Sequence, residues 1–197
     1  HHLAPRGMAG IVMSNGSLST TNKEEKIIRE GIIADDKLDC VIILPDRLFT
    51  NVPISACIWI LANDKKDPKF RDRSGETLFF DCRRMGVMTS RTLRELTEED
   101  VSKISEAYHN WRSRDAYECY EDEQGFCKSV TAGVEIAEHE GNIVPGRYVG
   151  APPMDEDLGL SEEKLKHLTK NLGENFTESH RLEKEIMNKL EDLGLGF

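Results

Sequence analysis

The stretch LDCVIILPDRLFTNVPISACIWILA, residues 38–62, decides the fold. Leu38 to Leu44 is a short apolar run of the length and composition of a buried strand. Pro45 stops it, because proline cannot donate to a ladder and restrains the residue before it. After a loop from Asp46 to Pro53, a second run from Ile54 to Ala62 is again more continuous than alternating. At most eight residues join the two runs, too few for the helical crossover of a parallel pair, so they are read as antiparallel neighbours or a hairpin.

Working outward toward the N-terminus, Asn22 is a helix cap, followed by Glu24 and Glu25 in the first turn and an apolar stripe of Ile27, Ile28, Ile32 and Ile33. Before it, Met8 to Ser14 reads as a strand buried on both faces, closed by a turn at Ser14-Asn15-Gly16. The intervening helix allows this strand to run parallel to the strand at Leu38–Leu44. Toward the C-terminus, Asn63-Asp64 ends the second run, Lys65 to Ser74 is polar and basic, and Glu76 to Cys82 is a further strand. The order is that of one edge of an open α/β sheet whose other edge is missing.

Thr97 to Arg112 reads as a helix, with Thr97 and Asp100 as cap and box and Val101, Ile104, Ala107, Tyr108 and Trp111 as its apolar face. Cys119 to Val130 reads as irregular, Thr131 to His139 as a short helix, and Gly141 to Pro153 as a Gly/Pro loop. In the tail, Leu165, Leu168, Leu172, Phe176, Leu182, Ile186, Leu190 and Leu193 step by three or four. With Ser161 as its cap, that segment is a helix of roughly 50 Å at about 1.5 Å per residue, or a helical hairpin if Gly173 breaks it. The division expected is an α/β part over 1–150 and a linker and helix over 151–197.

The 197 residues carry a net charge of −10, unevenly spread. Residues 1–94 hold 15 basic and 12 acidic residues, whereas 95–140 hold 4 and 13. Bulk acidity argues against binding phosphates, but the first half of the chain is mildly basic. No apolar run approaches the roughly 18 to 20 residues that span a bilayer, and the start lacks a signal-peptide stretch, so a cytoplasmic location is expected. Five scattered cysteines without a C-x-x-C spacing are read as reduced, half-buried fillers.

Familiar catalytic spacings are absent: there is no G-x-G-x-x-G, P-loop, H-E-x-x-H or G-x-S-x-G. The six histidines have no spacing of metal ligands. Acid pairs such as Asp35-Asp36 lie in polar runs and read as solvated faces.

Taken in order, HHLAPRGMAGIVMSNGSLS, DCVIILPDRLFTNVPISACIWIL, TLFFDCRRMG, LTEEDVSKISEAYHNWR, GFCKSV and GNIVPGRYVGA resemble the later part of the modification (M) subunit of type I restriction–modification systems. GFCKSV and PGRYVG are the most specific of these segments. The resemblance implies an N6-adenine DNA methyltransferase using S-adenosylmethionine, and a Rossmann-like methyltransferase sheet of which this chain supplies the C-terminal edge, a mixed sheet with an antiparallel hairpin and a helical tail. It also implies a specificity (S) subunit, a restriction (R) subunit and DNA as partners. The glycine-rich cofactor loop and the Asn-Pro-Pro-aromatic loop of that family are absent, and both should precede His1. Residues Leu3 to Gly7 after two histidines also resemble a tag and protease scar, although the family has a helix end and a glycine turn at this place.

By the same resemblance, Phe49 stacks on a flipped target base; packing within its loop is the competing reading. Asn15 and Gly16 sit where open α/β sheets bind ligands, although turn formation alone accounts for them. Lys65, Lys66, Lys69, Arg71 and Arg73, and onward Arg83 and Arg84, are candidates to follow a DNA backbone, or else form a solvated loop. The tail stripe is read as the face that meets the specificity subunit, or as one that packs on its own domain. A second copy, paired through an exposed sheet edge or the tail helix, is a further expected partner. The alternative in a different class is a non-enzymatic interaction module presenting the long helix. On the methyltransferase reading the chain by itself neither holds the methyl donor nor methylates; titration calorimetry with S-adenosylmethionine should give no binding heat, and a measurable affinity would overturn this.

Overall fold

The computed structural model describes residues 3–50, 52–151 and 162–192, and within the last span the side chains of 166 and 168–190. Two compact units, His1–Pro153 and Met154–Phe197, are described separately. In the first, the elements are β1 (Met8–Ser14), α1 (Lys23–Ala34), β2 (Leu38–Ile43), β3 (Ala56–Ala62), β4 (Glu76–Asp81), β5 (Val87–Met88), β6 (Arg94–Glu95), α2 (Glu98–Arg112) and β7 (Cys127–Thr131). A mixed five-stranded sheet has the order β1-β3-β2-β4-β7, and β5 and β6 form a separate antiparallel pair.

The hairpin expected from residues 38–62 is present, with Ile42 opposite Ile58 in an antiparallel β2–β3 ladder. β2 and β4 are parallel, pairing Cys40 with Leu78 and Ile43 with Asp81. β1 runs in the same direction as β2 but is not its neighbour, because β3 inserts between them and is antiparallel to both. This placement corrects the reading of β1 as buried on both faces. With only one strand neighbour, it leaves Ile11, Val12 and Met13 exposed.

All six residues of β2 are buried, and alternation sorts them between two cores. Val41 and Ile43 join Cys57, Trp59, Phe79, Ile136 and Ile143 on the side covered by Ile32 and Ile33 of α1. Cys40 and Ile42 join Leu78, Phe80, Trp111 and Phe126 on the side covered by Ile104, Ala107 and Tyr108 of α2. The caps are formed as read: Asn22 accepts from the amides of Glu24 and Glu25, and Thr97 with Asp100 makes a complete capping box.

Three apolar readings are corrected. Ile27 and Ile28 of α1 are 68% and 63% exposed, since the sheet edge beside them carries only β1. Val101 of α2 is likewise exposed, lying in the first turn before the helix reaches the sheet. Four of the five free cysteines are fully buried, with Cys119 alone exposed. The segment read as irregular over 119–130 contains β7, whose register runs from Glu76 opposite Thr131 to Phe80 opposite Cys127. A five-residue CKSVT strand has no sequence periodicity of its own; the free edge of β4 imposes its extended form. The short helix expected at 131–139 is a π-type turn at Ala132–Ile136 running on to Glu138.

In the second unit, α3 (Glu162–Asp192) is one continuous helix through Gly173. Leu168, Leu172, Phe176, Leu182 and Ile186 form an exposed stripe, and Leu190 is half-buried. Ion pairs of Arg181 with Glu178 and Glu185, and of Lys189 with Glu185, support its polar surface. Ser161, Leu193 and the Leu165 side chain lie outside the described residues.

A register shift between Leu38 and Cys40 re-aims Asp39 within β2. Its carboxylate accepts from Arg73 Nε at 3.1 Å and from the Tyr108 hydroxyl at 2.7 Å. The Asp39 and Arg73 side chains are 0% and 1% exposed, so removing one partner strands a buried charge. Asp39→Ala should lower stability in urea unfolding by about 3–5 kcal/mol, and the paired replacement Asp39→Leu with Arg73→Met should recover most of it. A loss below about 1 kcal/mol for Asp39→Ala would show that the pair is not an anchor.

Candidate functional site

Because β1, β2 and β4 run in one direction, the turns that follow them emerge at the same end of the sheet. Carboxyl ends of parallel strands are where open α/β sheets meet ligands. The Asn15–Leu18 turn follows β1, the loop from Leu44 to Ser55 follows β2, and the β5–β6 hairpin follows β4. The last two are tied together: the Cys82 amide donates to Ile43 O, and the Arg94 amide to Arg47 O, both at 2.9 Å.

Phe49 is 42% exposed at the tip of its loop. A tight turn holds it there, with the Val52 amide donating back to Phe49 O at 3.0 Å. Arg47, two residues earlier, has a left-handed backbone (φ 60°), and Asp46 lies 3.5 Å from both Arg47 and Arg94. The loop therefore presents an aromatic face from a braced base. Gly16 lines a cavity of about 610 Å³ between β1 and α1, whose walls include Ile11, Met13, Ile28 and Trp59. Asn15 is half-buried, and its Oδ1 has no hydrogen-bond partner.

The basic stretch is placed elsewhere. Residues 65–74 leave the carboxyl end of β3 and enter the amino end of β4, at the opposite end of the sheet from Phe49. Three of its cations are engaged internally. Lys65 Nζ is buried 2.6 Å from Asp36 Oδ1 and donates to Glu76 O. Arg71 holds Glu76 with two hydrogen bonds of 2.9 and 2.6 Å and lies 4.1 Å over the Tyr117 ring. Burial alone would raise the Glu76 carboxyl, but the hydrogen bonds and charge of Arg71 outweigh it and hold the group below its ordinary value. Arg73 is the buried partner of Asp39. Of the five cations, Lys66 and Lys69 are left exposed.

Of a second basic element, sequence reasoning named Arg83 and Arg84 but not Arg91 or Arg94. From Cys82 to Arg94 the chain has four arginines and no acid. Arg94 bonds Met85 O at 3.1 Å and braces the hairpin. Arg83 is clamped by Asp81 through bonds of 2.8 and 3.1 Å to Nε, which raise its pKa. Arg84 and Arg91 are exposed and make no ion pair among the described residues. At the root of this hairpin a cavity of about 460 Å³ is lined by Asp81, Arg83, Arg84, Gly125, Gly146, Gly150 and Ala151. The GFCKSV and PGRYVG segments meet here: the Gly125 amide donates to Val149 O at 2.8 Å, and Tyr148 stacks on Phe79 of β4 at 4.3 Å. Burial pushes the Tyr148 phenol up to about 12, and its hydroxyl donates to Asn142 O.

The arrangement suits binding rather than proton or nucleophile chemistry. Burial raises the thiols of Cys40, Cys57, Cys82 and Cys127, which keeps them protonated. No group of three or more His, Cys, Asp or Glu among the described residues is placed to hold a metal, and no helix there is long and apolar enough to cross a membrane.

Comparison with known proteins adds a family to this geometry. The N-6 DNA methylase family model matches residues 1–157. The HindI methylase subunit of the Haemophilus influenzae type I restriction enzyme is 41% identical over 194 residues, 98% of this chain and 42% of that protein. The MjaIX methylase subunit of Methanocaldococcus jannaschii is 33% identical, over 98% of this chain and 33% of that protein. The chain thus spans less than half the length of these relatives. A type I restriction–modification methyltransferase subunit from Streptococcus thermophilus superposes with a TM-score of 0.59 at 25% identity, covering 73% of this chain and 27% of that one. The EcoKI M protein shares the fold, with a TM-score of 0.53 at 13% identity over 90% of this chain and 41% of its own. The residues matched by the family model include every strand of the sheet and both of its helices, and the chain belongs to the N-6 DNA methylase family.

Proposed function

We propose that this chain forms the later part of a type I restriction–modification DNA methyltransferase subunit, which transfers a methyl group from S-adenosylmethionine to adenine N6. The observation that carries the reading is the family match over residues 1–157, together with Phe49 standing at the ligand-binding end of the sheet. A base drawn out of a duplex loses its stacking, and an exposed aromatic on a braced turn restores roughly 1–3 kcal/mol of it. Phe49 therefore receives the target adenine, while Asn15, with its buried unpaired oxygen, is a second polar group at the same end of the sheet. Lys66 and Lys69 remain candidates for a contact with DNA outside that end.

The methyl donor does not fit the residues present. The cavity beside β1 combines an apolar wall with five serine and threonine residues, Glu25 and Arg29, and Gly16 is the single glycine of its lining, so it has no glycine-rich backbone cradle. The glycine-lined cavity carries Arg83, Arg84 and Asp81; Asp81 is held by Arg83, and Arg84, without an ion pair among the described residues, leaves a net positive lining that repels a sulfonium cation. No step of methyl transfer is therefore assigned to this chain, and its contribution is to hold DNA and partner. The unit over 1–150 plays the first role and the helix in 151–197 the second. A soluble cytoplasmic assembly with the specificity and restriction subunits follows from this reading.

The stripe of α3 meets the specificity subunit. It repeats at i, i+4 and i+8 through Leu168, Leu172 and Phe176, then again from Leu182, as a helical bundle requires. The same exposed stripe favours the second reading, an interaction module without catalysis, and a second copy is its alternative occupant. Leu182→Asp with Ile186→Asp should abolish co-purification with the specificity subunit while circular dichroism shows the helix intact; retained co-purification would remove the docking claim.

Phe49→Ala in the whole subunit should reduce base flipping, read by 2-aminopurine fluorescence, and slow methylation by roughly 5- to 150-fold, the equivalent of about 1–3 kcal/mol. Phe49→Trp should retain both. Unchanged flipping and methylation in Phe49→Ala would make Phe49 a packing residue.

A further inference from the structure

We infer that the β5–β6 hairpin and the glycine-lined cavity at its root are the seat of the DNA phosphate backbone, with Arg84 and Arg91 as the contacting cations. The inference rests on the reading of Phe49 as the base-receiving residue and adds the element that positions the strand beside it.

Charge is the first argument. In a chain of net charge −10, the segment from Cys82 to Arg94 carries four arginines and no acid. The acids bordering it are engaged or lie at its base. Asp81 is clamped to Arg83. Asp100 accepts from the amides of Thr97 and Gly86 at 2.9 and 3.0 Å. Glu95 stands opposite Val87 at the foot of the hairpin, away from the tip. The exposed tip, Thr89-Ser90-Arg91-Thr92, adds the Ser90 and Thr92 hydroxyls to its arginine as donors for phosphate oxygens, while the Thr89 hydroxyl donates to Leu93 O.

Rigidity is the second. A two-residue pair of strands has little stability of its own, and this one is fastened at both ends. Gly86 has φ 80°, and a Cβ there would stand 2.7 Å from Glu95 O, so only glycine closes the base. At the tip the Thr89 amide donates to Leu93 O, and the Leu93 amide to Ser90 Oγ, both at 3.0 Å. The Arg94 amide ties the whole hairpin to the Phe49 loop through Arg47 O. Cations on such a frame lose little entropy on binding.

The cavity is the third. Gly125 and Gly150 have φ of 79° and 75°, and a Cβ on Gly146 would lie 2.9 Å from Arg83 Nη2. The concavity at the carboxyl end of β4 is thus lined by glycines from two segments, by Arg83 and Arg84, and by Asp81, whose carboxylate is taken up by Arg83 and leaves Arg84 as the cation without an ion pair among the described residues.

The test is duplex binding by the 197-residue chain, followed by fluorescence anisotropy between about 50 and 200 mM salt. Arg84→Ala with Arg91→Ala should weaken binding at least tenfold at the lower salt and reduce the slope of log K against log salt by about 2, equally for any duplex sequence. Both side chains are exposed and unpaired, so the thermal midpoint should not move. Lys66→Ala with Lys69→Ala, at the far end of the sheet, should cost less affinity than the Arg84/Arg91 pair, and a larger loss there would move the backbone seat away from the hairpin and overturn the inference. Equal affinity and slope in the Arg84/Arg91 variant, or no binding by the unaltered chain at the lower salt, would overturn the inference. Binding of polyglutamate as tight as that of DNA would assign the surface to an acidic protein and overturn it too. Phe49→Ala should leave the salt slope intact, because stacking releases no counterions, so failure of the base-stacking reading is read separately by 2-aminopurine.

Discussion

A carboxylate buried in the central strand sets the terms for the rest of the α/β unit. Asp39 is fully enclosed in β2, and such a charge is tolerable only when its lone pairs are occupied by well-placed donors. Arg73 and Tyr108 supply them. Arg73 comes from the loop before β4 and Tyr108 from the middle of α2, so one carboxylate pins a loop and a helix to the sheet. Burial and the neighbouring Asp39 charge raise the Tyr108 phenol, which keeps its proton as donor. The arginine guanidinium also lies 5.6 Å from the Trp111 ring, and Trp111 donates to Ser129 of β7 at 2.8 Å. The network therefore spans β2, α2 and β7.

This network explains why basic residues that look alike in sequence do different work. At the amino end of β4, Lys65, Arg71 and Arg73 neutralise Asp36, Glu76 and Asp39, and their energy goes into holding strands and helix together. At the carboxyl end, Arg83 and Arg94 brace local turns, and Arg84 and Arg91 face outward. Each end of the sheet thus holds braced cations and outward-facing ones, Lys66 and Lys69 at the first end and Arg84 and Arg91 at the second. The acidic residues that dominate the net charge lie mainly beyond residue 94, and those nearest the hairpin, Glu95 and the first turn of α2, stand at its foot.

Much of the fold was legible because it rests on local rules. The β2–β3 hairpin followed from a link too short for a crossover, and both helix starts followed from a side-chain oxygen placed to cap free amides. β7 was not legible, since CKSVT has no pattern and becomes a strand only against β4. The exposure of Ile27 and Ile28 was equally hidden, because an apolar stripe states what a helix is able to bury, not what lies opposite it.

For the site the division is similar. Residue order alone was enough to put Phe49, Asn15 and Gly16 after strands, and spacing alone excluded the common catalytic motifs. Sequence by itself determined the first four strands, the caps, the long amphipathic helix and the charge asymmetry, because each depends on neighbours within a few residues. Only the tertiary structure decided that β3 lies between β1 and β2, that Lys65, Arg71 and Arg73 pair with Asp36, Glu76 and Asp39, and that GFCKSV and PGRYVG meet at one cavity beside Arg84. Those outcomes depend on which groups far apart in the chain come within a few ångströms, and the strength of a charge interaction is set by that distance and by burial, neither of which composition or spacing records.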